Sequence, residues 1–325
     1  MGQTGRRQFL IATGALLATR MARAQQEKRV YRIALPALTS YRGLESLIAA
    51  LEQGLRELGY LPGKDIVLEF HSAEGKPERL PEVMKEAVRS KPDVIITGPN
   101  AVTTAAQAAT QSIPIVMTAG TEVIDAGYAR SFARPGGNIT GMTVEFQKGA
   151  TGFKRIELLK EIAPSISLVA FLWDAPYDGF KTVFDAAAPA RGMRTYWHEF
   201  SGEPEQDFAE MTRRGADAVF AIGGGPQIAR RTEIATLAIK HRLPISYSAS
   251  LFVEAGALMS YGPNFLSMFR AAARHVDKIL KGIKPGDIPI EQATVFDLVI
   301  NLKTAKALGL TIPPSIMLRA NSVID

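Results

Sequence analysis

The stretch SFARPGGNITG, residues 131–141, places two glycines behind a proline and ahead of an Asn-x-Thr. A glycine-rich turn between a strand and a helix cradles phosphate on backbone N–H groups. A similar turn at a seam between two domains does something else: it bends the chain. The segment carries no lysine. Neither the G-x-x-x-x-G-K-[ST] loop nor the G-x-G-x-x-G fingerprint occurs in the chain.

Reading outward from it, short β-rich runs alternate with helix-period runs, the pattern of a parallel α/β sheet. Before the turn come strand VYRIALPAL, helix LESLIAALEQGLRELG, strand DIVLEF, helix ERLPEVMKEAVRS, strand DVIITGP, helix NAVTTAAQAATQS and strand PIVMTAG. After it the plan repeats, with ISLVAFLWDAP, YDGFKTVFDAAAPARG, MRTYWHEF, EQDFAEMTRRG, DAVFAIGG, QIARRTEIATLAIKHR and LPISYSA in the same order. The turn therefore falls in the seam between two similar lobes. A further long helix, PNFLSMFRAAARHVDKILKG, and a strand, TVFDLVINL, follow. If that helix packs on the first lobe and the strand on the second, the chain crosses three times.

The expected architecture is α/β, with two doubly wound parallel-sheet lobes joined by a three-segment hinge that closes on a ligand. Lobe one takes residues 29–138 and 263–292, and lobe two takes 139–262 and 293–325. Pro135, Gly136, Gly137, Asn138 and Thr140 are expected at the first crossover, where proline restricts and glycine frees the backbone.

Composition narrows the function classes. The net charge is +6, but Arg6, Arg7, Arg20 and Arg23 all precede the first acidic residue. Removing those four from the 38 Lys and Arg leaves 34 against 32 Asp and Glu, with no basic tract for a nucleic acid. The arginines flank an apolar run, Phe9 to Ala18, ahead of Ala22-Arg23-Ala24. This pattern predicts an export signal over residues 1–24. Arg6-Arg7-Gln8-Phe9-Leu10 resembles the twin-arginine signal, and the mature chain is expected in the periplasm. No cysteine is present, so thiolate chemistry is excluded.

Catalytic signatures are missing. His71, His198, His241 and His275 lack metal-ligand spacing, and there is no G-x-S-x-G elbow. No cofactor, metal or catalytic residue is assigned. In a parallel sheet a ligand sits beyond the carboxyl ends of the strands. That rule nominates Thr39, Ser40, Tyr41, Thr97, Asn100, Thr118, Thr121 and Glu122 in lobe one. In lobe two it nominates Trp173, Asp174, Tyr177, Ser201, Gly224, Gly225, Gln227, Tyr247, Ser248 and Ser250, with Asn264 at the start of the last long helix. Hydroxyls, helix starts and aromatic rings suit a small, carboxylate-bearing ligand with an apolar or planar body.

SFARPGGNITG, RIELLKEIAP, FVEAGALMSYGPN, VDKILKGIKPGDIPIEQ and DLVINLKTAKALGLTIPPS together resemble the substrate-binding proteins of ABC importers, in the tryptophan/tyrosine-type branch. The resemblance spans the mature chain. It implies the type I periplasmic binding-protein fold, a monomer that delivers a small molecule to membrane permease subunits, and no catalysis. The chain departs from the family pattern at Pro99-Asn100 (usually Thr-Pro), Glu122-Val123-Ile124 (usually Asp-Pro-Val) and Trp173-Asp174-Ala175 (usually Trp-Asn-Pro). All three lie at strand ends, so the ligand is left open. A sensory binding module and a secreted doubly wound enzyme are the alternatives.

Overall fold

The structure, a computed structural model, describes residues 29–144, 149–173 and 178–325. The expected export signal lies outside them. Strands β1 (Tyr31–Ala37), β2 (Ile66–Ser72), β3 (Val94–Thr97), β4 (Ile115–Gly120) and β5 (Ile139–Thr143) join the short β11 (Glu291–Gln292) in one sheet. Its order is β11-β5-β4-β3-β1-β2. The second sheet holds β6 (Leu168–Trp173), β7 (Arg194–Glu199), β8 (Ala218–Ile222), β9 (Ile245–Tyr247), β10 (Met259–Pro263), β12 (Phe296–Asn301) and β13 (Ser322–Ile324). Its order is β13-β12-β10-β9-β8-β6-β7. Counted within each lobe, both follow the doubly wound order 2-1-3-4-5. Strand pairing is parallel except between β10 and β12.

Helices cover both faces of each sheet, and each face has its own core. On the first sheet, α1 (Tyr41–Glu57) shares one face with α10 (Phe265–Leu280), while α2 (Leu80–Arg89) and α3 (Asn100–Ala109) cover the other. On the second, α4 (Ala150–Ile162) and α5 (Asp178–Ala187) cover one face. The opposite face carries α6 (Pro204–Arg213), α8 (Arg231–Lys240) and α9 (Ser250–Glu254), with the short α7 (Gly225–Ala229) before α8. Among the described residues no helix is long and apolar enough to cross a membrane.

The apolar stripe of α1 buries Ile48, Leu51 and Leu55 around Gly54. A β-carbon on Gly54 would lie 2.4 Å from the Arg270 carbonyl oxygen of α10, so only glycine permits this approach. Tyr60 then donates to Asp277 at 3.0 Å, with burial and the neighbouring carboxylate pushing its pKa up to about 12. The last long helix thus returns to the first lobe.

The chain leaves the first sheet after β5, leaves the second after β10, and passes back from β11 to β12. β11 runs parallel to β5, and β12 runs antiparallel to β10 with Phe296 opposite Pro263. Each crossover therefore joins at the carboxyl ends of the parallel strands, and the lobes face each other there.

Two sequence-based expectations are corrected. Ile139–Thr143 is a strand of the first sheet, so lobe one extends past residue 138 and the boundary expected before Ile139 falls one strand too early. Consequently Pro135, Gly136, Gly137, Asn138 and Thr140 are not at a crossover. Pro135 to Asn138 form the turn entering β5, at the amino edge of the sheet, and Thr140 lies within that strand. Asn138 donates to the Thr110 and Ile113 carbonyls at 3.2 and 2.9 Å, and Thr140 to that of Ile288 at 2.8 Å. The Gly136 N–H bonds the Gly286 carbonyl at 3.0 Å. The turn anchors the segment that leads to β11, on the side away from the crevice.

That segment covers a buried base. His275 of α10 is fully buried; its Nε2 donates to the Pro289 carbonyl at 3.2 Å, and its Nδ1 has no partner among the described residues. Burial lowers the His275 pKa, against the opposing pull of Glu291. Burial raises that of Glu291, but the bond to Arg274 and the charges of His275 and Arg274 outweigh it and leave it lowered. Both groups bind protons more readily once unfolded, so both remove stability as pH falls. Unfolding monitored against pH is expected to show stability declining from about pH 6.5 downward. A His275→Gln variant is expected to lose the part of that decline nearest pH 6; an identical profile would contradict the assignment.

Candidate functional site

In a doubly wound sheet the crevice opens where strand order reverses, between the first and third strands. In lobe one this point lies between the ends of β1 and β3, and in lobe two between β6 and β8. The corresponding turns are Leu38–Ser40, Gly98–Pro99 and Gly223–Gly224, with Trp173 closing β6.

Thr39, Ser40 and Tyr41 lead from β1 into α1. The Thr39 carbonyl accepts from Ser72 Oγ at 3.0 Å, which ties this turn to the end of β2. Ser40 is the N-cap residue of α1, yet its side chain makes no capping bond. Tyr41 is 48 % exposed and meets Phe70 edge-on, with ring centroids 5.4 Å apart. Phe70 is a member of this corner that strand-end counting missed. It lies inside β2, and only the aromatic pairing marks it.

Across the switch point, α3 begins after Pro99, which offers no side-chain cap. Its first residue, Asn100, accepts from the Thr121 N–H at 3.0 Å and donates to the Thr121 carbonyl at 2.8 Å. This reciprocal pair fixes the β4 turn against the helix start. The next residue, Glu122, is half-buried and holds a φ of +48°, the kind of strained backbone found at ligand sites. Thr97 and Thr118 stand apart from this group. Both are buried: Thr97 Oγ1 pairs with Thr103 Oγ1 at 2.8 Å, and Thr118 Oγ1 donates to the Thr97 carbonyl at 3.0 Å. They brace the strand ends from within.

In lobe two, Trp173 is half-buried at the end of β6, and its carbonyl accepts from the Phe200 N–H at 2.6 Å. Asp174 and Tyr177 lie outside the described residues. Gly224 is the N-cap of α7 and Gly225 its first residue. Gln227 is fully buried, accepting from the Tyr247 hydroxyl at 3.0 Å, while the Tyr247 ring stacks on Phe252 at 3.6 Å. The two are core supports under the β8 turn. They also explain Gly223, whose β-carbon would meet both Gln227 Oε1 and Tyr247 Cε1 at 3.0 Å. Ser248 is half-buried behind β9, and Ser250 is exposed at the start of α9. Ser201 is exposed and accepts from the Glu203 N–H at 3.1 Å. Asn264 belongs to a crossover and has both side-chain polar atoms engaged there.

Arg155 is a second residue that strand-end counting missed. It is buried on the inner stripe of α4, its guanidinium lies 3.5 Å over the Phe220 ring, and Nη2 donates to the Ala221 carbonyl at 2.8 Å. The spacing Gly152, Arg155, Ile156, Leu159 places an arginine on an apolar helix face, and that signal was legible. Among the described residues no group of three or more His, Asp or Glu could hold a metal ion.

The geometry thus defines a two-lobed ligand-binding protein whose uncapped helix starts and exposed aromatic ring gather at facing strand ends. Residues 32–324 match the model of the ABC transporter substrate binding protein family, and the chain belongs to that family. It is similar to a tyrosine-binding protein of Clostridioides difficile, 24 % identical over 290 residues that span 87 % of this chain and 82 % of that one. It is also similar in structure to the ABC domain from Streptococcus pneumonia in complex with L-Trp, with a TM-score of 0.83 and 25 % identity, covering 91 % of this chain and all of that one. A conserved domain protein from Vibrio cholerae gives a TM-score of 0.82 at 25 % identity and the same coverage. The family consists of extracytoplasmic solute-binding proteins, and the chain is one of these rather than an enzyme.

The buried pair under the β8 turn gives a direct test. Tyr247→Phe removes the donor to Gln227 and is expected to cost about 1–3 kcal/mol, the penalty of a buried acceptor left unsatisfied. Chemical denaturation measures it; an unchanged midpoint would show that the pair does not support the turn.

Proposed function

We propose that the protein is the ligand-capturing receptor of an ABC importer, taking a small carboxylate-bearing ligand with a planar apolar body. Aromatic amino acids lead the candidates. The observation that carries this reading is the corner where Tyr41, backed by Phe70, stands beside the start of α1, which Ser40 leaves uncapped. The start of α3 lies across the same switch point. Helix starts without a side-chain cap and the positive end of each helix dipole favour a carboxylate, and an exposed ring favours a flat apolar surface. The tyrosine-binding and L-Trp-bound relatives support the same ligand class. Glu122, half-buried at the end of β4, suits the ammonium group of an amino acid.

Lobe two supplies the opposing wall through Trp173 and the Gly224–Gly225 turn, with Thr39, Thr121, Ser248 and Ser250 at the rim. The lobes close on the ligand because only the closed form lets both walls contact it. That form then docks on the permease, and the ligand passes to it. The receptor works as an exported, monomeric periplasmic protein.

Melting curves in the presence of L-tryptophan, L-tyrosine, other amino acids and aromatic acids test the ligand class. A true ligand at a hundred times its Kd stabilises by about 2.7 kcal/mol. Tyr41→Ala is expected to weaken its binding roughly tenfold, the loss of one aromatic contact. No stabilisation across the panel, or full affinity in Tyr41→Ala, would overturn the proposal.

A further inference from the structure

We propose that Asn264 is the joint that sets the resting angle between the lobes; the inference rests on the reading that they close over a ligand. Two of the three crossovers meet at this residue. The β10–β12 ladder of lobe two continues to its last pair, Pro263 with Phe296, at the point where the chain turns into α10. Asn264 extends it by one step, its N–H donating to the Val295 carbonyl at 2.8 Å. The outgoing and returning segments are therefore zipped into one ribbon.

The Asn264 side chain bolts that ribbon to the helix of the other lobe. Oδ1 accepts from the Ser267 N–H at 2.7 Å and so caps α10, while Nδ2 donates to the Asp297 carboxylate of β12 at 2.6 Å. Ser267 Oγ returns a bond to the Asn264 carbonyl at 2.7 Å. The contact to Asp297 is charge-assisted, which makes it stronger than a neutral pair. Alongside it, Phe296 has its backbone in the second sheet and its ring against the core of the first lobe. That ring also stacks with Tyr261, centroids 6.1 Å apart.

A change of lobe angle at this junction breaks these bonds together. The junction accordingly resists bending and holds α10 at a fixed angle to the β10–β12 ladder. This accounts for Asn264 more fully than the ligand contact expected from its place at a helix start, because both side-chain polar atoms already bond within the junction.

The distribution of inter-lobe distances without ligand tests the assignment. The chain has no cysteine, so dyes can be placed on exposed Lys85→Cys of α2 and Gln206→Cys of α6 for single-molecule energy transfer. Asn264→Ser keeps the cap, since serine serves well at that position, but cannot reach Asp297. Asp297→Ala cuts the same bond from the other side. Both are expected to broaden the ligand-free distribution to the same extent, the double variant no further, and Asp297→Asn, which retains an acceptor, to stay near wild type. Unchanged width in both single variants, broadening in Asn264→Ser alone, or additive broadening in the double variant would overturn the proposal. Adding L-tryptophan to the wild type is a separate arm. A distribution that never shifts counts against the ligand and closure reading, while the ligand-free widths still report on the joint.

Discussion

The close approach of α1 and α10 at Gly54 is the constraint on which the architecture depends. A β-carbon there would fall 2.4 Å from a backbone oxygen and 2.9 Å from the Ala273 methyl, so the contact exists only because residue 54 has no side chain. α10 follows the strands of the second lobe, yet its apolar stripe, Phe269, Ala272, Ala273 and Val276, completes the core of the first. The chain must therefore return, add β11 to the edge of the first sheet, and cross again to place β12. Three crossovers at the carboxyl ends follow from one helix pair, and they bring the two switch points face to face.

Much of this was legible in the sequence. The repeat of strand and helix runs before and after the seam identified two lobes because each buried strand is a short apolar block closed by turn residues. The return of α10 to the first lobe stood in the sequence only as a condition, because an amphipathic period shows a face to be buried but not which lobe buries it. β5 was not readable. ITGMT, residues 139–143, contains a flexible glycine and two threonines and follows a Pro-Gly-Gly turn, so locally it looks like loop. It becomes a strand because β4 on one side and β11 on the other supply its ladder, and β11 lies about 150 residues downstream. A pairing of that range leaves no local mark. This single omission moved the lobe boundary and turned an anchoring turn into an expected hinge.

The site divides along similar lines. Position at a strand end is a property of the chain, and it drew attention to the turns at the two switch points. Whether a side chain faces the crevice or the core depends on which way the last strand residue points and what packs behind it. Thr97, Thr118, Gln227 and Tyr247 sit at the ends of strands or first turns of helices, yet they point inward and bond one another. Phe70 and Arg155 contribute from inside an element, one by backing an exposed ring and the other by holding the end of β8. Polar groups near the crevice are thus of two kinds: side chains that shape the turns, and the starts of α1 and α3, which carry no side-chain cap.

The most direct test of this account is a crystal structure of the protein with the small molecule that co-purifies with it. The account predicts that molecule enclosed between the lobes, a carboxylate at the start of α1 or α3 and a flat apolar body against Tyr41, with the β8 turn opposite. A ligand held within one lobe alone, or seated near the turn at residues 131–141, would contradict it.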